Sequence, residues 1–272
     1  MSDLFGIPRL AMVLLVLTAT TACAPGATTQ TTTAVPTVPA AAETATATAT
    51  VPTMATPEPT ATVAPPTSAV TPTQRPEESA RYLLTFEATW SEATHPTDFP
   101  PNPHFSGLIG ATHHNGVRLW EEGETATPGI QNMAETGGKS PLDSEVEALI
   151  TEGGACELVS GGGIALSPGA VAVEFTVSRD CPLVSLVSMI APSPDWFVGV
   201  TGLSLYGDEG WIEEWVVDLY PYDAGTDSGV SYTSPNQPTE VKEGIHRIEE
   251  DPLLVEGRVP PLGVFRFMRL PE

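Results

Sequence analysis

The 272-residue chain carries 11 Lys and Arg against 34 Asp and Glu, a formal net charge of −23, with 28 Pro and 24 Gly. A polyanion rewards basic surface, so a nucleic-acid or anionic-membrane binder is disfavoured. Three Cys, one of them beside an apolar start, are too few for a cysteine-rich scaffold or a four-cysteine zinc site.

Arg9 precedes the apolar run Leu10-Ala-Met-Val-Leu-Leu-Val-Leu17, which leads through small residues to Cys23. A run this short does not span the roughly 30 Å of hydrocarbon that takes about 20 apolar residues. It reads as a signal-peptide core over 1–22. The residues leading into Cys23 resemble the lipobox of bacterial lipoproteins, with Thr20 where that pattern usually has Leu. The resemblance implies a diacylglyceryl group on Cys23 and a membrane anchor. Ordinary secretory cleavage after Ala24 is the alternative, and both readings export the protein; an uncleaved apolar helix is a third.

From Ala24 to Glu78, 17 Thr, 13 Ala and 10 Pro make up 40 of 55 residues, and none is aromatic. Such composition cannot bury enough apolar surface to offset the entropy of ordering, so residues 23–78 are expected to form a disordered, extended stalk open to O-glycosylation.

Residues 79–272 carry 17 of the 18 Phe, Trp and Tyr up to the end of the chain, except Phe5, and form the expected folded domain. Alternation is clear in 81–90, with Tyr82, Leu84, Phe86, Ala88 and Trp90 on one face, and in 170–178, with Val171, Val173, Phe175 and Val177 inward. Further strands are expected at 183–190, 200–206, 211–219 and 263–270, separated by Gly, Pro, Asn and Asp turns. Two helices interrupt them: a short turn near 129–136, and 141–153, where Ser140 would cap, Pro141 would open the first turn and Asp143 would complete a capping box. These helices read as an insertion packed across one sheet rather than as a partner-binding element. Many short strands without alternating helices predict an all-β antiparallel sandwich. In an exported domain, the pair left after Cys23, Cys156 and Cys181, predicts a disulfide.

The densest polar segment is Asp218-Leu-Tyr-Pro-Tyr-Asp-Ala-Gly-Thr-Asp-Ser-Gly229. Asp223 and Asp227 lie four apart on a Pro- and Gly-bounded loop, and Asp195 sits on the loop Pro192-Ser-Pro-Asp-Trp196. If the loops share one end of the sandwich, their carboxylates can hold Ca²⁺, a hard cation of six to eight oxygen ligands; solvated Asx-turns are the other reading of this spacing.

Val187 to Gly199, Asp218 to Gly229, Ser234-Pro-Asn236, Phe86 to Ser91 and His104 to His113 together resemble the spondin domain, the amino-terminal module of F-spondin and mindin. The resemblance covers nearly all of 81–270. It implies a C2-like antiparallel β-sandwich holding one Ca²⁺, whose three aspartates fall on Asp195, Asp223 and Asp227. Animal members are secreted matrix and adhesion proteins, which implies a binding module for an extracellular protein or glycan rather than an enzyme. This chain lacks the thrombospondin-type repeats that accompany the animal domain, and few of its residues are basic enough to meet a sulfated polysaccharide.

The remaining constellations are weaker. His95, His104, His113, His114 and His246 fit no zinc-ligand spacing and read as turn and surface residues. Glu213, Glu214 and Asp218 beside Trp211 and Trp215 suggest a polysaccharide-acting site, but neighbouring strand residues face opposite ways. Trp196 and Phe197 suggest an exposed aromatic contact beside Asp195, with burial in the loop base as the alternative. The expectation is therefore an exported, lipid-anchored surface protein that displays one calcium-binding sandwich on a stalk.

Overall fold

A computed structural model describes residues 77–271. The signal segment, Cys23 and most of the stalk lie outside the described residues. In chain order the elements are β1 (Ser79–Ala88), β2 (His104–Phe105), β3 (Ile109–His113), α1 (Pro128–Thr136), α2 (Leu142–Thr151), β4 (Ala155–Ser160), β5 (Gly169–Ser178), β6 (Leu183–Ala191) and β7 (Trp196–Ser204). They continue with β8 (Tyr206–Gly207), β9 (Gly210–Trp211), β10 (Glu214–Leu219), β11 (Pro221–Asp223), β12 (His246–Arg247) and β13 (Gly263–Arg269).

Two antiparallel sheets face each other. One runs β10-β13-β1-β5; the other runs β12-β11-β7-β6-β3-β4, with β2 beside β6. The alternation read in β1 is the reason it faces the core: Tyr82, Leu84, Phe86, Ala88 and Trp90 are all buried between the sheets with Phe105, Phe175, Phe265 and Phe267. Phe86 meets Phe105 and Phe265 edge-on at centroid distances of 4.8 and 5.2 Å, the packing that ring quadrupoles favour. The buried Tyr82 hydroxyl is satisfied by the carbonyl of Ile212 at 2.7 Å.

The larger sheet is covered on its outer face as well. Ile130, Met133, Leu142 and Val146 of the two helices pack with Ile109, Ala111, Val187, Met189 and Phe197 into a second core. This explains why β3 shows no alternation: all five of its residues are buried, as in a strand enclosed on both faces. Its Gly110 is required by proximity, since a Cβ there would lie 1.9 Å from the Ser185 carbonyl oxygen of β6.

Several expectations are corrected in detail. The longer helix starts at Leu142, and no side chain caps it; the Ser140 carbonyl instead accepts from Asn132 Nδ2 at 2.7 Å, and Asp143 turns to its neighbour Ser144. Thr127 caps α1, and Glu145 of α2 accepts from Gly129 N at that helix's amino end, where the dipole favours an anion. β7 begins at Trp196 rather than 200, and the 211–219 segment divides into β9 and β10. Two histidines are not surface residues: His95 and His113 are fully buried. The sheet needs the second of them for hydrogen bonding, because its Nδ1 donates to the His114 carbonyl while Nε2 accepts from Ser185 Oγ at 2.8 Å.

Candidate functional site

The turn from β6 to β7 is fixed by Ser193, whose Oγ accepts from Trp196 N at 3.1 Å and donates to the Ile190 carbonyl. Asp195 follows, and its carbonyl accepts from Ala224 N at 3.1 Å, which stitches this turn to the loop after β11. The two loops therefore occupy the same end of the larger sheet, where β11 and β7 are paired and Asp223 lies opposite Trp196.

Asp195 is fully buried. Its Oδ2 accepts from Thr226 N at 2.7 Å, Asp227 N at 3.0 Å and Thr226 Oγ1 at 3.1 Å. Its Oδ1 is buried with no hydrogen-bond partner. Burial, and then the neighbouring Asp223 carboxylate, push the Asp195 carboxyl up to about 6, against the three hydrogen bonds that favour its ionised form. Asp223 is also raised, first by burial, although Gly225 N donates to its Oδ1 at 2.7 Å and Trp196 Nε1 to its Oδ2 at 3.1 Å. Asp227 is buried too, and it pins its own loop: Oδ1 accepts from Gly229 N and Oδ2 from Gln237 N, each at 2.8 Å. Gly225 permits the sharp bend, with φ +71° and only 2.5 Å from a notional Cβ to the Glu243 carbonyl oxygen.

Asp223 and Asp227 line a cleft of about 220 Å³ together with Glu243, His246, Glu250 and Asp251; Asp195 is not in its wall. The structure brings Asp195 and Asp223 into electrostatic contact, while Asp227 reaches Asp195 through its backbone N–H. Among the described residues, no three His, Cys, Asp or Glu side chains are gathered into a ready metal-ligand group. The donor chemistry nevertheless fits a hard divalent cation: carboxylate oxygens, an Asp195 carboxyl whose ionisation burial and Asp223 oppose, and one buried oxygen left unpartnered.

The other residues singled out are placed as follows. Cys156 and Cys181 form a disulfide, Cα to Cα 6.2 Å, that ties β4 to the turn before β6. Trp196 and Phe197 are buried rather than exposed, so they offer no aromatic contact surface. Glu213 and Glu214 are held by different arginines, Arg269 at 2.7 Å and Arg266 at 2.5 Å, and Trp211 is buried with its Nε1 on the Glu77 carbonyl. Sequence spacing missed Thr226, whose amide and hydroxyl hold Asp195, and Gln237, Glu243 and His246, which reach the site from the following loop and β12 along a path only the folded chain defines. The carboxylate four residues before Asp227 was the one local signal.

Comparison with known proteins matches residues 80–253 to a family model described as Spondin_N. Spondin-1 of Gallus gallus is 41% identical over 173 residues, covering 61% of this chain and 22% of that protein. Spondin-1 of Homo sapiens is 40% identical over 173 residues, with coverage of 61% and 21%. Spondin-2 of Homo sapiens is 38% identical over 176 residues, with coverage of 62% and 52%. The matched segment thus spans about a fifth of the Spondin-1 proteins and about half of Spondin-2. The match stops before β13, although that strand lies between β10 and β1 at the middle of its sheet.

Proposed function

Because the chain belongs to the Spondin_N family, we propose that it is an exported binding module rather than an enzyme, held at a cell surface through a lipid on Cys23 and a Thr/Pro/Ala stalk. Its partner in this reading is an extracellular protein or glycan, and its recognition end is shaped by Ca²⁺ on Asp195, Asp223 and Asp227. The observation that carries the metal is the buried, unpartnered Oδ1 of Asp195 beside a second buried carboxyl, Asp223, that burial also raises. A bound Ca²⁺ supplies positive charge that stabilises both ionised carboxylates and stiffens the two loops; it performs no reaction. The chain's own part is to hold the loops in register: Ser193 shapes the first turn, the Thr226 and Asp227 amides fix Asp195, and Trp196 orients Asp223.

Thermal unfolding of the purified chain in EGTA and in excess calcium tests the metal, since a ligand that binds only the folded state raises its melting temperature. The Asp223→Asn, Asp227→Asn double variant is expected to lose the calcium-induced rise. An unchanged calorimetric calcium titration in that variant would refute the assignment. Screening the same protein against glycan and extracellular-protein arrays, with product analysis, tests binding against turnover.

A further inference from the structure

β10 is the last strand of its sheet and pairs only with β13. Arg269 N donates to the Glu213 carbonyl and Leu262 N to the Leu219 carbonyl, so the odd-numbered residues of this strand turn their peptide groups toward β13. In an antiparallel pair the intervening residues point theirs the other way. The N–H and C=O groups of Glu214, Val216 and Asp218 thus face outward, and among the described residues none of them has a hydrogen-bond partner. All three residues are exposed, as is Trp215 at 37%.

The opposite edge of the same sheet, β5, is covered at one end, while its Ala170, Ala172 and Glu174 are exposed. There Thr176 N donates to the Glu157 carboxylate at 2.9 Å, and the Cys156–Cys181 disulfide clips the neighbouring strands together. Among the described residues no bond or disulfide covers the β10 edge.

Its side chains say which strand it accepts. On the outer row Glu214 and Asp218 flank Val216; on the core-side row Trp215 and Val217 present apolar surface. A second copy of the chain, laid antiparallel and centred on Val216, would set Glu214 against Asp218 at both ends; Arg266 is shared between Glu214 and Glu87, so the row keeps an acidic excess, and like charges directly opposite are destabilising. An extended segment with basic residues at its first and fifth positions and three apolar residues between meets both rows in either direction. Asp218 forms no ion pair among the described residues and is free to take one of those cations.

We propose that the free edge of β10 docks an extended basic-flanked apolar segment of a partner protein by strand addition. This names a partner for the binding-module reading but does not depend on the calcium site, so the two can fail separately.

The test uses the full chain and a fluorescein-labelled peptide Ser-Arg-Val-Ile-Val-Lys-Ser, read by anisotropy in calcium and again in EGTA. The expected result is saturable binding in both buffers, at least about tenfold tighter than to a scramble with the two basic residues adjacent. Asp218→Lys should weaken it about tenfold and transfer preference to a peptide with one basic and one Glu flank. Val216→Pro removes the central outward N–H while leaving the β13 side paired, a place where an edge strand tolerates Pro, and should abolish binding. If that variant fails to fold, the charge-reversal variant carries the test. Equal binding of the scramble, or no effect of Asp218→Lys, overturns the proposal. So does a dimer, seen by sedimentation, that Val216→Pro dissolves, because the edge would then belong to a second copy.

Discussion

Replacing Asp195 by Asn separates stability from metal binding, with opposite signs. In the calcium-free fold the Asp195 carboxyl is raised from 3.8 to about 6 by burial and by Asp223. Its folded value exceeds its unfolded one, so this carboxyl favours the fold fully below about pH 4, and that contribution is lost as pH rises through about 6. At about 1.4 kcal/mol per pH unit, keeping it ionised at pH 7 costs the metal-free protein about 3 kcal/mol. The Asn side-chain oxygen can take over the three hydrogen bonds now made to Oδ2, but its amide group then occupies the place of the unpartnered Oδ1. An unsatisfied buried donor costs about 1 kcal/mol or more, leaving a net gain of about 2 kcal/mol. For a domain of this size that raises the melting temperature by about 4–8 °C. The assay is thermal unfolding by circular dichroism at pH 7, with EGTA or with excess calcium. Asp195→Asn should melt higher than the wild type in EGTA and show no further rise in calcium, whereas the wild type gains about 2.7 kcal/mol once calcium reaches a hundred times its Kd. A variant that melts lower in EGTA, or keeps the calcium increment, would show that the electrostatic account of this site is wrong.

Three further outcomes follow from the packing. Replacing Cys156 and Cys181 by Ser opens a 25-residue loop and should cost about 3.5 kcal/mol in the chain-entropy account, measured by guanidinium unfolding; a loss under about 1 kcal/mol would assign the bridge no such role. Phe86→Ala, at the centre of the aromatic cluster with Phe105 and Phe265, should cost about 3–5 kcal/mol in urea unfolding, and a near-neutral result would contradict the inter-sheet core. Burial holds His95 and His113 below the ordinary imidazole range, so the unfolded chain takes up their protons first. With calcium present, their contribution should be complete above about pH 6.5 and decline as the pH falls below it. NMR titration that finds either ring ionising near 6.5 in the folded protein would remove the basis of that expectation.

The acid loops show how far residues alone carry the reading. Asp223 and Asp227 stood out because they are four apart on a loop that Pro221 and Gly225 bend, and Asp195 because Pro192 and Pro194 stiffen its turn. What spacing could not supply is the pairing of β11 with β7, which sets Asp223 opposite Trp196 and brings the Asp227 amide onto Asp195. The buried oxygen of Asp195 is likewise a product of packing.

Sequence by itself determined the strands with one wet face: β1 and β5 alternate because one side of each meets the core and the other meets water, and period two records that division. Only the tertiary structure decided the rest. β3 and β6 are enclosed on both faces, so their patterns carry no alternation to read, and His113 is buried among them because Ser185 of β6 supplies its hydrogen bond. The helices lie on the larger sheet because its outer face is apolar, and β10 stays an open edge because the chain continues into the other sheet instead of turning back beside it. Such facts depend on which distant segments meet, and local residue order does not encode those meetings.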